Sequence, residues 1–353
     1  MQNILRHTLR RAGYAPAILI GLAVLLQLSC NRQNTDNSGK HTPGDSGQEA
    51  QKQEQLEDIT FALDWTPNTN HTGLYVAQKL GYFADAGLRI DIKMPQTSVT
   101  QLVASGRVSF GIGFQEFGTS SIANESMPIV SVAAVLRHNT SGFTSMKDRN
   151  IKRPLDFGGK LYAGWGNPFE TKLIRYLIQL DGGDPEQFES VTIGEASLAG
   201  LLQDRVDYAW TFYAWQNIGF DLQGLETHYI PLKDLDPVFD YYTPIIIANR
   251  SYLEQNRNSA QRFIQAVAKG YEYAAQNAEE AAEILLDFAP ELDRELVMRS
   301  QEYLAQYYLD EDGKWGRQNP ETWNNLAQWM YDNQLIKKPL SAEDAMTNEL
   351  LLP

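Results

Sequence analysis

The sequence predicts an α/β protein built as two lobes around a cleft. Three observations predict it: a strand–loop–helix–strand unit over residues 59–92, aromatic and amide-rich loops where short strands end, and two stretches suited to crossing between lobes. In the first unit Ile59, Phe61 and Leu63 alternate with Thr60, Ala62 and Asp64, the period of a strand. Residues 65–70 break the pattern: Pro67 fixes φ, and Asn68 and Asn70 tolerate turn geometry. A helix carrying Leu74, Tyr75, Ala77 and Leu80 follows, closed by Gly81, and residues 88–92 start the next strand. In open α/β sheets ligands bind where such loops leave the strands, because unpaired N–H groups collect there.

Ahead of this unit, residues 1–30 read as an export signal, with Arg6, Arg10 and Arg11 before an apolar run over 15–28. Leu28-Ser29-Cys30 resembles the end of a bacterial lipobox, although Gln27 stands where an aliphatic residue is usual. Cys30 is therefore the expected site of lipidation. Residues 31–55 are polar throughout and predict a flexible tether.

After the first unit, Val99, Leu102 and Val103 mark a helix, and residues 107–113 a strand. That strand exits into residues 114–121, a second candidate ligand loop that runs into a helix. Residues 128–136 form another apolar strand, and the polar residues 138–142 suit a crossing. In the second lobe a strand over 160–163 leads into residues 164–170, where Pro168 suits the first helical position. Residues 206–210 lead into 211–216, and residues 241–248 read as the returning crossing. The expected division is 56–140 with 245–353 in lobe one and 141–244 in lobe two.

The composition narrows the partners. The chain of 353 residues is 43% hydrophobic and 11% aromatic, which suits a folded protein. Its formal charge of −14 makes nucleic acid and anionic lipid poor partners. Cys30 is the single cysteine, which excludes an intrachain disulfide, and the five histidines are widely spaced. No cofactor or metal is expected, and a monomer is expected.

The run Asp64-Trp65-Thr66-Pro67-Asn68, with His71, Leu74-Tyr75-Val76-Ala77-Gln78, Gly81-Tyr82-Phe83 and Gly87-Leu88, resembles a known opening. It is similar to that of periplasmic binding proteins that feed thiamine-pyrimidine precursors or riboflavin to ABC importers. The resemblance implies a two-lobed type II periplasmic-binding-protein fold with the ligand between the lobes. It further implies an ABC permease as partner and a place in the cell envelope, lipid-anchored and facing the periplasm or exterior. The same superfamily contains a fungal thiamine-pyrimidine synthase, so an enzymatic reading has to be weighed. The lysine that would anchor pyridoxal phosphate aligns near Gly113, and the cysteine-rich iron motif has no counterpart here.

Four loops at strand ends supply the candidate ligand residues. Trp65, Trp165, Tyr213 and Trp215 offer flat apolar faces; Asn68, Gln115, Asn167 and Gln216 offer amides that donate and accept. His71 is either a ligand contact or a first-turn cap. Glu116 and Glu170 either meet the ligand or satisfy helix N-terminal N–H groups. Trp210 and Tyr162 read as core. In the pyrimidine binders an aromatic-Trp-Glu run is usual, and here Tyr213-Ala214-Trp215 is followed by Gln216. The expected ligand is a small planar heterocycle such as a formylaminopyrimidine, with a flavin-like ligand as the alternative.

Overall fold

The computed structural model describes residues 56–193 and 197–352. The expected export signal over residues 1–30 with Cys30, the expected tether over 31–55 and residues 194–196 lie outside the described residues. In chain order the strands are β1 (Glu57–Ala62), β2 (Leu88–Lys93), β3 (Phe110–Gly113), β4 (Ile129–Ala134) and β5 (Ser141–Met146). They continue with β6 (Leu161–Gly164), β7 (Glu189–Thr192), β8 (Tyr208–Phe212), β9 (Thr227–Pro231) and β10 (Ile245–Asn249). Helices α1 (Thr72–Lys79), α2 (Tyr82–Asp85), α3 (Val99–Ala104) and α4 (Gln115–Glu125) belong to the first half. The second sheet carries α5 (Pro168–Leu180), α6 (Leu198–Asp204) and α7 (Ile218–Leu222). The C-terminal part is helical: α8 (Arg250–Gln255), α9 (Arg257–Gln276), α10 (Ala278–Phe288), α11 (Arg294–Ala305), α12 (Pro320–Asp332) and α13 (Ala342–Ala345).

The strands form two five-stranded sheets, ordered β2-β1-β3-β10-β4 and β7-β6-β8-β5-β9. In each, four strands run the same way and one, which follows a crossing, runs against them: β10 in the first sheet and β5 in the second. The β1–β2 register sets Ile59 opposite Ile90 and Phe61 opposite Ile92, as the alternating pattern requires. β4 (IVSVAA) is buried at every position, because helices cover both faces of its sheet.

On one face of the first sheet, Phe61 and Phe110 meet Phe263 and Val267 of α9. Here α1 and α9 approach so closely that a Cβ on Gly270 would lie 2.0 Å from the carbonyl oxygen of Gly73. Only a residue without a side chain permits that contact. The second lobe has its own aromatic core of Phe143, Phe157, Tyr162 and Tyr208, with Phe157 stacked on Tyr208 at 4.4 Å.

Helix α12 departs from the expected grouping of residues 245–353 with lobe one. Its Leu326, Trp329 and Met330 join the core of Phe169 and Phe239 in the second lobe. Its Trp323 packs with Ile245 and Met346 of the first. The amphipathic turn spacing of Trp323, Leu326 and Trp329 gave no means of telling which lobe it would cover.

The two crossings are tied to each other. The backbone N–H of Asn139 donates to Asp240 at 2.9 Å, its side-chain amide donates to the Phe239 carbonyl at 2.9 Å, and His138 pairs with Asp240 at 2.6 Å.

Candidate functional site

The cleft between the lobes receives the loops that leave β1, β3, β6 and β8, together with both crossings. It has two compartments that share Phe114, Trp165 and Phe212 as walls.

The outer compartment, of about 310 Å³, is polar and aromatic. From lobe one come Asp64, Trp65, Asn68 and Asn70; from lobe two come Trp165, Trp215 and Gln216. Trp65 and Trp165 stand 55% and 53% exposed, large apolar faces open to the cleft. Asn68 is held rigidly: its side-chain oxygen accepts from the Asn70 N–H at 2.9 Å, and its amide donates to the Thr66 carbonyl at 3.0 Å. One amide proton remains for the cleft. Gln216 accepts from the Phe212 N–H at 3.0 Å, which commits its oxygen and leaves its NH2.

His71 lines neither compartment and is fully buried. Its Nδ1 accepts from the Asn68 N–H at 3.2 Å, so the proton sits on Nε2 and is donated to Asp64 at 2.8 Å. The imidazole fixes the loop from behind and orients Asp64, a cleft residue that the sequence reading passed over.

Gln115 also stays behind the wall. Its side chain accepts from the Tyr242 N–H at 2.8 Å and donates to the Thr322 carbonyl at 3.3 Å, joining α4 to the return crossing and to α12. Tyr213 points away: it packs on Tyr303 at 4.7 Å and Tyr229 at 5.1 Å. The reason is the π-helical turn Tyr213–Asn217, whose wider pitch sends Tyr213 outward while Trp215 and Gln216 keep to the cleft.

The inner compartment, of about 180 Å³, is walled by Phe114, Phe117, Trp165, Phe169, Trp210 and Phe212. Ser141, Thr243 and Tyr241 come from the crossings, and Asn167, Glu116 and Glu170 complete it. The two glutamates behave differently. Glu170 caps the start of α5: it accepts from the N–H groups of Asn167 at 3.2 Å and Trp165 at 3.1 Å, and from the Tyr162 hydroxyl at 2.7 Å. Asn167 returns the favour through its side-chain oxygen, 2.9 Å from the Glu170 N–H. Gly166, at φ +77°, allows the turn that brings these groups round.

Glu116 has no such partners. It is 8% exposed, and its Oε2 is buried without a hydrogen bond. Burial pushes its pKa up to about 8, offset in small part by its own backbone N–H. At neutral pH it is a carboxylic acid that can donate as well as accept. The Trp210 Nε1–H, in the same walls, also lacks a partner. Tyr241 is held neutral by burial first and by Glu116 second.

Of these aromatic walls Trp165 is an expected cleft residue, and Phe114, Phe117, Phe169 and Phe212 lie in the expected ligand loops without being singled out there, while Trp210 reads as core because it lies in a strand-like run. The available signal was Phe114-Gln115-Glu116-Phe117, an acid set among aromatics where a strand ends. Neither compartment has a lysine, arginine or histidine among its described lining residues. Among the described residues there is also no cluster of side chains suited to a metal ion, and no helix long and apolar enough to cross a membrane.

Comparison with known proteins agrees with this architecture. The chain is 30% identical over 310 residues to the formylaminopyrimidine-binding protein of Halalkalibacterium halodurans, covering 85% of this chain and 92% of the relative. It is 24% identical to the 4-amino-5-hydroxymethyl-2-methylpyrimidine phosphate synthase of Legionella pneumophila, over 83% of this chain and 92% of that protein. The alkanesulfonate-binding protein SsuA from Xanthomonas axonopodis pv. citri, solved with MOPS bound, shares the fold with a TM-score of 0.63. That match has 11% identity and covers 83% of this chain and 99% of the other. Residues 68–281 match the family described as NMT1/THI5 like, and the chain, with its two-lobed periplasmic-binding-protein fold, belongs to that family.

Proposed function

We propose that the protein is the extracytoplasmic substrate-binding component of an ABC importer and that it captures a small planar heterocycle such as a formylaminopyrimidine. The observation that carries the reading is the pair of half-exposed tryptophans, Trp65 on one lobe and Trp165 on the other, lining one cleft without a cationic side chain among its described walls. An anionic ligand would need compensating charge there. A flat neutral ligand needs aromatic faces and amides, which Trp65, Trp165, Asn68 and Gln216 supply. Closure about the crossings would bury the ring, and the closed form would be what a permease recognises. The similarity to a formylaminopyrimidine-binding protein supports this ligand class. A flavin-like ligand is the second reading, favoured by Gln216 in place of an acid.

Catalysis is not part of the proposal. His71 is held between Asn68 and Asp64 and lines neither compartment, which argues against a chemical role for its imidazole. Lipid attachment at Cys30 would hold the protein at the membrane as a monomer, with residues 31–55 as its tether. Native mass spectrometry of the protein isolated from its host tests the reading. A retained one-to-one adduct with the mass of a pyrimidine precursor is expected; a retained sulfonate, sugar or peptide would refute it.

A further inference from the structure

The inner compartment gives this reading a geometry. Its volume of about 180 Å³ matches one six-membered ring with small substituents, since an apolar protein cavity of about 150 Å³ accepts benzene. Its walls are aromatic faces. At its buried side, Glu116 Oε2 faces no donor or acceptor of the protein. An unpaired buried carboxyl oxygen costs stability, and a ring edge that presents one donor beside one acceptor would give Oε2 the partner it lacks.

We propose that the inner compartment seats the ring of an uncharged aminopyrimidine edge-on to Glu116, whose carboxyl hydroxyl donates to a ring nitrogen while its carbonyl accepts from the adjacent amino group. This rests on the heterocycle reading above and adds which compartment holds the ring and which residue reads its edge. Trp65, Asn68 and Gln216 then meet the ring's substituents in the outer compartment. The arrangement also excludes phosphorylated pyrimidines, which would bring a dianion into a cleft with Asp64 and Glu170 among its lining residues and no described cation.

The surroundings of Glu116 make its proton observable. Glu170 of α5 and Tyr241 of the return crossing are the other ionisable groups of the compartment, and Glu170 is already engaged by three donors. The acids of the helices packed on α4, namely Glu321 and Asp332 of α12 and Glu343 and Asp344 of α13, are exposed. Only burial and its own N–H shift Glu116.

The test measures binding of 4-amino-5-hydroxymethyl-2-methylpyrimidine, whose ring is uncharged at pH 7 and above, by calorimetry between pH 7 and 9.5. With Glu116 titrating at about 8 and only its protonated form competent, wild-type affinity should fall about 30-fold across that range. Glu116→Gln carries a donor and an acceptor but no ionisable proton, and should flatten the profile. Glu116→Leu carries neither, and should bind at least about tenfold more weakly at pH 7, with circular dichroism checking its fold. A flat wild-type profile, or the same decline in Glu116→Gln, overturns the assignment while leaving the heterocycle reading in place. Failure of the wild type to bind the probe at any pH overturns both.

Discussion

At the scale of single residues, the two glutamates of the inner compartment separate support from recognition. Glu170 and Glu116 hold similar places, each in the first turn of a helix leaving a strand. Residue type alone left both roles open to both. The partners decide: Glu170 spends its oxygens on the backbone and on Tyr162, and Glu116 leaves its Oε2 without a partner. Glu116 therefore costs the empty protein stability. Its folded pKa lies above its unfolded value of 4.5, so the unfolded chain ionises first. Stability is fully present below pH 4.5, falls as pH rises to about 8, and is level beyond. Glu116→Gln removes this penalty. In urea melts of the ligand-free protein, the variant should gain on the wild type as pH rises from 5 to 8, by a few kcal/mol, roughly 1.4 per pH unit. Parallel pH curves for the two proteins would mean that the carboxyl is solvated in solution.

At the scale of elements, the first unit was the most legible part of the chain. The alternation of Ile59, Phe61 and Leu63 and the turn chemistry of Pro67 and Asn68 are local signals, and local signals survive tertiary packing. Two kinds of information were not local. Trp210 looks like core in the sequence because a side chain facing a cavity and one facing a neighbour require the same apolarity. Tyr213 resembled a cleft residue until the π-helical turn rotated it onto Tyr303, an outcome of one extra residue per turn that composition does not announce. The pairing of α1 with α9 depends on Gly73 and Gly270, and Tyr271 of α9 holds the loop carrying Trp65 and Asn68 by donating to the Asn70 carbonyl at 2.6 Å. Gly270→Ala places a methyl against the Gly73 carbonyl and must push the helices apart. A loss of about 1–3 kcal/mol in unfolding free energy is expected from thermal or urea melts. No loss would show that the two helices are separated in solution.

At the scale of the whole molecule, two sheets of matched topology face each other across a cleft, and the chain passes between them through crossings clamped by Asn139 and Asp240. Helix α12 adds a third connection, with Trp323 in one lobe and Trp329 in the other. Such a frame permits the lobes to close on a ligand while the crossings keep their register. The division of strands between sheets could be read from the two crossings; the bridging of α12 could not, because its apolar stripe fits either lobe. The central claim is that this cleft takes a flat heterocycle between aromatic faces. Equilibrium dialysis of 4-amino-5-hydroxymethyl-2-methylpyrimidine against the wild type and Trp165→Ala at pH 7 tests it most directly. Saturable one-to-one binding by the wild type is expected, weakened by about 2–4 kcal/mol when the indole shared by both compartments is removed. Equal binding by the two proteins, or none by the wild type, would contradict it.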